Sequence, residues 1–313
     1  MSLLNWGNRS LSGANEELSP LAAQNLVNRN FSLLGHCANS ECRSVWFHLF
    51  RHHARPIFEA GWTCSPQCTE ACLQSAVRRE LSVPVNVQVT HRHRIPLGLL
   101  MHEKGWITSS QLRCAVEAQK EHGSPRIGEW LVRQGAADES LVTRALSVQW
   151  SCPVVPLSNG TTAVSSLLPQ LFIDVFGVLP VQWAPGRTVY LGFEQNVDRA
   201  LALALQRIEG SPVECGIVQS STFRETQRRL QTSGLAGTQI AEAATSSAAA
   251  HLFSKAIERA RPIRSRLVRV HEWLWLRMFL KPQPAGERRG ACVRDVVCRV
   301  GFLDHSSDDS IGR

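Results

Sequence analysis

Tyrosine occurs once and methionine three times in 313 residues, and several catalytic signatures do not occur at all. There is no GxxxxGK[ST] phosphate loop, no GxGxxG after a strand-like run, no GxSxG and no HExxH. Acid pairs are few and no triad can be assembled. The sequence therefore points away from an enzyme: it offers no ATP site, and no residue receives a catalytic role. Long apolar runs are missing too. The best candidate, LLPQLFIDVFGVLP, carries Asp174 and two prolines, which rules it out as a transmembrane span. The opening MSLLNWGNRS turns polar almost at once, so no cleavable signal is read there, and a cytoplasmic location is expected.

Charge is not gathered into blocks. The net charge is +8, from 34 Lys and Arg against 26 Asp and Glu, with the arginines scattered along the chain. That balance permits an anionic partner such as a nucleotide. No basic helix with base-reading residues and no aromatic stacking platform accompanies it, so nucleic acid is the weaker reading. With 43% hydrophobic and 19% charged residues, the chain is globular and long enough for two or three small domains.

Ten cysteines in a reducing compartment suggest metal or free thiols rather than disulfides. Five of them cluster. Cys37 and Cys42, then Cys64 and Cys68 after a spacer of 21 residues, have the spacing of a tetrahedral zinc site. Cys72 and His36 are alternative ligands, with His48, His52 and His53 nearby. Ser65 and Pro66 signal a helix start, so Cys64 and Cys68 should flank the first turn of a helix reaching about Leu81. Four thiolates would leave no open coordination position, which makes any zinc structural. The alternative is a set of buried free cysteines. Cys292 and Cys298 lack close partners and read as ordinary thiols.

The densest signal is a tandem repeat. PLGLLMHEKGWITSSQLRCAVEAQ (Pro96 to Gln119) and RIGEWLVRQGAADESLVTRALSVQ (Arg126 to Gln149) align over 24 residues, with Gly at positions 3 and 10 and Gln at position 24. Each copy should form a short helix ending at its second glycine, then a longer one capped by Thr108 or Asp138. This pattern resembles the MshEN module of type II secretion and type IV pilus assembly ATPases, and it does so without the ATPase motor. In that family the two copies together hold one cyclic di-GMP. The resemblance implies a ligand site formed by Leu97, Gly98, Gly105, Leu112, Gln119, Arg126, Ile127, Gly128, Leu131, Gly135 and Gln149, with Arg94, two residues upstream of Pro96, as the candidate stand-in for the first copy's arginine. Glycine would let backbone approach the ligand, and Arg126 would fork to or stack on guanine. The first copy departs from the pattern: Pro96 replaces the arginine, and Trp106 fills an aliphatic position. The helix-borne cysteine pair similarly looks like a treble-clef zinc finger.

The order that follows the repeat is helix, Leu-Pro strand, Pro185–Gly186 turn, strand, helix, strand and helix. It resembles the small α/β half of the same N-terminal domain, extending the resemblance over 94 to about 232. The expected architecture is thus α+β and multi-domain. A tail and helix (1–30) precede a treble-clef-like zinc knuckle (31–83), the tandem helical repeat (94–157) and a small α/β domain (158–232). A C-terminal helix plus β-hairpin (240–303) and a disordered tail (304–313) complete it. Within that last domain, the alanine-rich stretch from Ile240 to Ala260 reads as one helix. The implied function is a regulatory binding protein, with cyclic di-GMP and a protein of the secretion or pilus machinery as partners. An interaction adaptor with a purely structural repeat, or a zinc-finger nucleic-acid binder, is the alternative.

Overall fold

The computed structural model describes residues 37–42, 56–59, 61–82, 94–157, 166–184, 187–232, 238–281 and 293–301. All of them lie in one compact unit. The expected N-terminal helix, His36, His48, His52, His53, Pro185–Gly186, Cys292 and the tail fall outside the described residues.

A two-stranded hairpin, β1 (Ile57–Phe58) and β2 (Gly61–Trp62), leads into helix α1 (Pro66–Ser82). The Ser65 hydroxyl accepts from the Cys68 N–H, which places the helix start where Ser-Pro signals it. Four helices of the tandem repeat follow: α2 (Leu97–Glu103), α3 (Ser109–His122), α4 (Ile127–Arg133) and α5 (Glu139–Trp150). A three-stranded sheet comes next, built from α6 (Gln170–Phe176), β3 (Val178–Ala184), β4 (Thr188–Phe193), α7 (Arg199–Glu209), β5 (Val213–Ile217) and α8 (Ser220–Thr232). Its order is β3-β4-β5, with the first pair antiparallel and the second parallel.

The C-terminal region holds more than a helix and a hairpin. Strands β6 (Thr238–Ala243), β7 (Arg264–Val270), β8 (Trp273–Phe279) and β9 (Val293–Val300), with helix α9 (Ser246–Ala260), form a four-stranded sheet of order β6-β9-β8-β7. The helix read from Ile240 therefore starts six residues later, at Ser246, where Thr245 caps it by accepting from the Ala248 N–H. Residues 238–243 are instead a strand parallel to β9. High alanine content favours helix, but an available ladder of backbone bonds to β9 overrides a weak local preference.

Both faces of this sheet are buried, and β8 shows how. Leu274, Leu276 and Met278 point into one core with α1 and α9, while Trp275 points into the other, with α6, α7 and the three-stranded sheet. The repeat has a third core of its own, centred on Met101, Ala115, Leu131 and Ala145.

Two polar hubs tie these layers. Glu80 on α1 is buried and accepts from Arg207 on α7 at 2.5 and 2.9 Å and from the Arg269 N–H at 3.2 Å. Burial alone would raise its pKa, but the arginines outweigh that and hold the carboxyl below its ordinary range. The second hub is Arg277, whose guanidinium is enclosed.

A titratable pair links the β7–β8 turn to α7. His271 Nε2 lies 2.6 Å from Asp198, the N-cap of α7. The hydrogen bond to Asp198 raises His271 above 6.5. Burial pushes Asp198 up, but the bond from His271 outweighs it and leaves the carboxyl lowered. A raised histidine contributes its full stabilisation below about pH 6.5 and loses it as pH rises through the folded value. The urea-midpoint advantage of the wild type over His271→Gln should therefore shrink between pH 6 and pH 9. An advantage that grows over this interval would contradict the pair's role.

Candidate functional site

In the cysteine-rich segment, Cys37, Cys42, Cys64 and Cys68 place their four sulfurs within 4.8 Å of one another. Sulfur pairs Cys42–Cys64 and Cys64–Cys68 are 3.4 Å apart, far beyond a disulfide bond. The hairpin and the first turn of α1 supply one pair, and the 37–42 turn supplies the other. That turn sits so close to β2 that a Cβ on Gly61 would lie 2.8 Å from the Ala38 Cβ. The Ala38 N–H donates to the Trp62 carbonyl at 2.8 Å and locks the contact.

Donors point at the sulfurs: the Cys64 N–H at Cys37 (3.4 Å) and Asn39 Nδ2 at Cys68 (3.5 Å). Burial raises the Cys37 and Cys64 thiols. Burial also pushes on Cys68, but hydrogen bonds led by Asn39 bring it down to about 7. Cys72 is not one of the four: it is half-buried on α1, with its thiol raised to about 11, first by burial. Four thiols this close together could hold a metal ion. Asn39 was not apparent from cysteine spacing, although its place inside the Cys37–Cys42 turn is a signal that could have found it.

The repeat closes around an approximate twofold relation that the sequence alignment implies residue by residue. A Cβ on Gly98 would stand 2.5 Å from Leu112 and 3.7 Å from Ile127, and one on Gly128 would stand 2.9 Å from Val142 and 3.3 Å from Leu97. Each short helix thus uses its glycine to let in the long helix of its own copy and the second residue of the other. Gly105 and Gly135 take positive φ, +69° and +68°, and end α2 and α4. There the Trp106 and Ala136 N–H groups donate back to Met101 and Leu131 at 2.9 Å, a Schellman closure in both copies.

Gln119 donates to the Pro125 carbonyl (3.5 Å) and Gln149 to the Ile95 carbonyl (2.8 Å), in each case the residue just before the other copy begins. Leu97, Leu112, Ile127 and Leu131 fill the module core. Thr108 and Asp138 cap α3 and α5 by accepting from Gln111 and Leu141 N–H groups.

Most residues of the implied ligand site therefore also hold the module together. Gly98 and Gly128 in particular face side chains rather than open space, so a larger residue there would disturb packing before it met any ligand. The side chain with neither duty is Arg126: exposed, at the N-cap of α4, with no ion pair among the described residues. Its counterpart Pro96 has φ −52° and ψ 140°, close to the −72° and 161° of Arg126, so the backbone there suits an arginine. Arg94 does not reach into that position. Its guanidinium stacks 3.3 Å from the centre of the Trp150 ring. Trp150 follows directly on the closing glutamine, and its role was not read from sequence.

The module is fastened to the three-stranded sheet. The Val155 N–H donates to the Ile217 carbonyl (2.8 Å) and the Ile217 N–H to the Pro153 carbonyl (2.9 Å). Glu139 accepts from the Ser221 N–H (2.5 Å) and Gln219 Nε2 (2.9 Å) at the start of α8, and Arg224 bridges Glu129 and Glu194.

No protein-family model matches the chain. The type IV pilus assembly ATPase PilB of Myxococcus xanthus is 30% identical over 136 residues, 42% of this chain and 24% of PilB, so the chain spans about a quarter of that relative's length. Among solved structures, that of MshE with cdg aligns at 26% identity and TM-score 0.37 over 44% of this chain and 99% of that one. The N-terminal domain of XpsE aligns at 18% identity and TM-score 0.30, covering 42% and 92%. The resemblance to the N-terminal part of secretion and pilus assembly ATPases is borne out for about two fifths of the chain. No described helix is long and apolar enough to cross a membrane.

Proposed function

We propose that this chain is a non-catalytic, cytoplasmic regulatory protein that binds cyclic di-GMP across its two repeats and relays occupancy to a protein partner of the secretion or pilus type. The observation that carries the reading is the reciprocal register of the copies. Gly98 meets Ile127, Gly128 meets Leu97, and the two glutamines reach across, so both halves of a two-guanine ligand would meet equivalent surfaces. The exposed Arg126 at the head of the second copy supplies a guanidinium for one guanine. The cysteine cluster fits structural zinc. A Zn–S bond of about 2.3 Å places tetrahedral sulfurs about 3.8 Å apart, and the four sulfurs here gather within 4.8 Å.

A second reading, in which the repeat is a scaffold for protein contact alone, draws on Pro96 and on the packing duties of Gly98 and Gly128. Calorimetric titration separates the two. An arginine fork to guanine contributes about 1–3 kcal/mol, so Arg126→Ala should weaken cyclic di-GMP binding about tenfold or more. Pro96→Arg, whose backbone already suits the residue, should strengthen it by a similar factor. Absence of heat from both wild type and Pro96→Arg at high micromolar ligand decides for the scaffold.

A further inference from the structure

A trench of about 430 Å³ runs along helix α9, away from both the repeat and the cysteine cluster. One wall is α9, through Leu252, Ala256 and Ala260, and the floor is sheet, through Met278 and Val296. Its rim is basic. Lys255 and Arg259 stand four residues apart on α9, and Arg294 faces them from β9; all three are exposed.

Among the described residues the cations have no acidic partner. Asp295, which also borders the trench, has both carboxylate oxygens engaged by Arg277 and Trp275. Glu70 lies 3.5 Å from His251 at the α1 side of the helix, and Glu258 is turned to Thr69 on that same side. Among the described residues no ion pair involves Lys255, Arg259 or Arg294. Like charges four residues apart on a helix cost stability. Arg259 is partly accounted for by the negative end of α9, whose last turn it occupies. Lys255 and Arg294 have no such explanation.

Two elements thus bring three cations to one concave, apolar-walled space rather than spreading them over a convex face. We propose that this trench binds a small phosphorylated molecule carrying an apolar or aromatic moiety. The phosphate would be held by Lys255, Arg259 and Arg294, and the remainder would lie against Leu252, Ala256 and Met278. The volume falls in the range of small-molecule sites. The inference is independent of cyclic di-GMP binding, because the repeat shares no residue with the trench.

The methionines offer a site-resolved test. Only Met1, Met101 and Met278 occur in the chain: Met101 lies in the core of the repeat, and Met278 lines the trench. With methyl-¹³C-methionine protein, magnesium-free ADP should shift the Met278 resonance saturably and leave Met101 in place. Pyrophosphate should act more weakly, and adenosine should not act at all. Charged hydrogen bonds to phosphate carry enough energy that Lys255→Ala and Arg294→Ala should each raise the apparent Kd about tenfold, while Arg126→Ala should leave it unchanged. No Met278 shift at millimolar ADP would overturn the proposal. So would an equal response to adenosine, or a response indifferent to both substitutions.

Discussion

Arg277→Ala is expected to lower the free energy of unfolding by about 3–5 kcal/mol, measured as a drop in urea midpoint at constant slope. All five guanidinium N–H groups have an acceptor. Nε and Nη2 fork onto Asp295 at 2.9 Å, Nη1 reaches Glu209 (2.9 Å) and the Leu167 carbonyl (2.7 Å), and Nη2 also reaches the Ser166 carbonyl (2.7 Å). The group joins β8 and β9 to the end of α7 and to the segment before α6, so its removal leaves the buried Asp295 with only the Trp275 donor and takes a partner from the half-buried Glu209 and from two carbonyls at once. Burial disfavours its charge, but Asp295 outweighs that and the guanidinium is held protonated. Arg277→Lys should recover little, since one ammonium cannot span acceptors on both sides of a planar fork. Asp295→Ala should cost a comparable amount, and the double variant far less than the sum, because both changes break one network. A loss under about 1 kcal/mol for Arg277→Ala would show that the network contributes little.

Nothing in WLWLRMF announces that role. An arginine between apolar residues of a strand reads as the solvent-facing member of an alternation, and only the second buried face of the sheet makes it interior. The same non-locality hid β6, whose partner strand begins more than fifty residues downstream and whose own composition favours helix. What was legible rested on local rules. Ser65-Pro66 started α1, and Thr108 and Asp138 capped the long repeat helices. The repeat lay in between. Its glycine register gave the four helices, but composition could not tell whether Gly98 and Gly128 leave room for a ligand or for Leu112 and Val142. Cysteine spacing likewise gave four ligand candidates plus Cys72, and only the fold separates Cys72 from the four sulfurs that meet.

Chelation is expected to unfold more than the cysteine-rich segment. Purified without chelator, the protein should carry about one zinc per chain. Structural zinc in isolated fingers supplies an apparent 10–16 kcal/mol, roughly as much as the whole stability of a typical domain. The sulfurs belong to the 37–42 turn, to Cys64 and to the first turn of α1, so losing a metal bound there would release that helix. A spacing argument alone confines the damage to the first eighty residues, but the packing extends it. Leu73, Ala76 and Val77 of α1 share a core with Ala249, Phe253 and Ile257 of α9 and with one face of the four-stranded sheet. Glu80 also carries Arg207 and the Arg269 N–H. Hydrogen exchange should therefore show protection lost over Pro66–Ser82 and Ser246–Ala260 together. Protection over 97–150 should survive, since Met101, Ala115, Leu131 and Ala145 form a separate core. Cys64→Ser should reproduce the pattern without chelator. Burial raises the Cys37 and Cys64 thiols, and these must lose protons to bind, so metal affinity should climb with pH. Metal analysis without zinc, or exchange in α9 that ignores chelator while α1 opens, would break the argument at two different points. The first removes the metal, and the second removes only the coupling through α1.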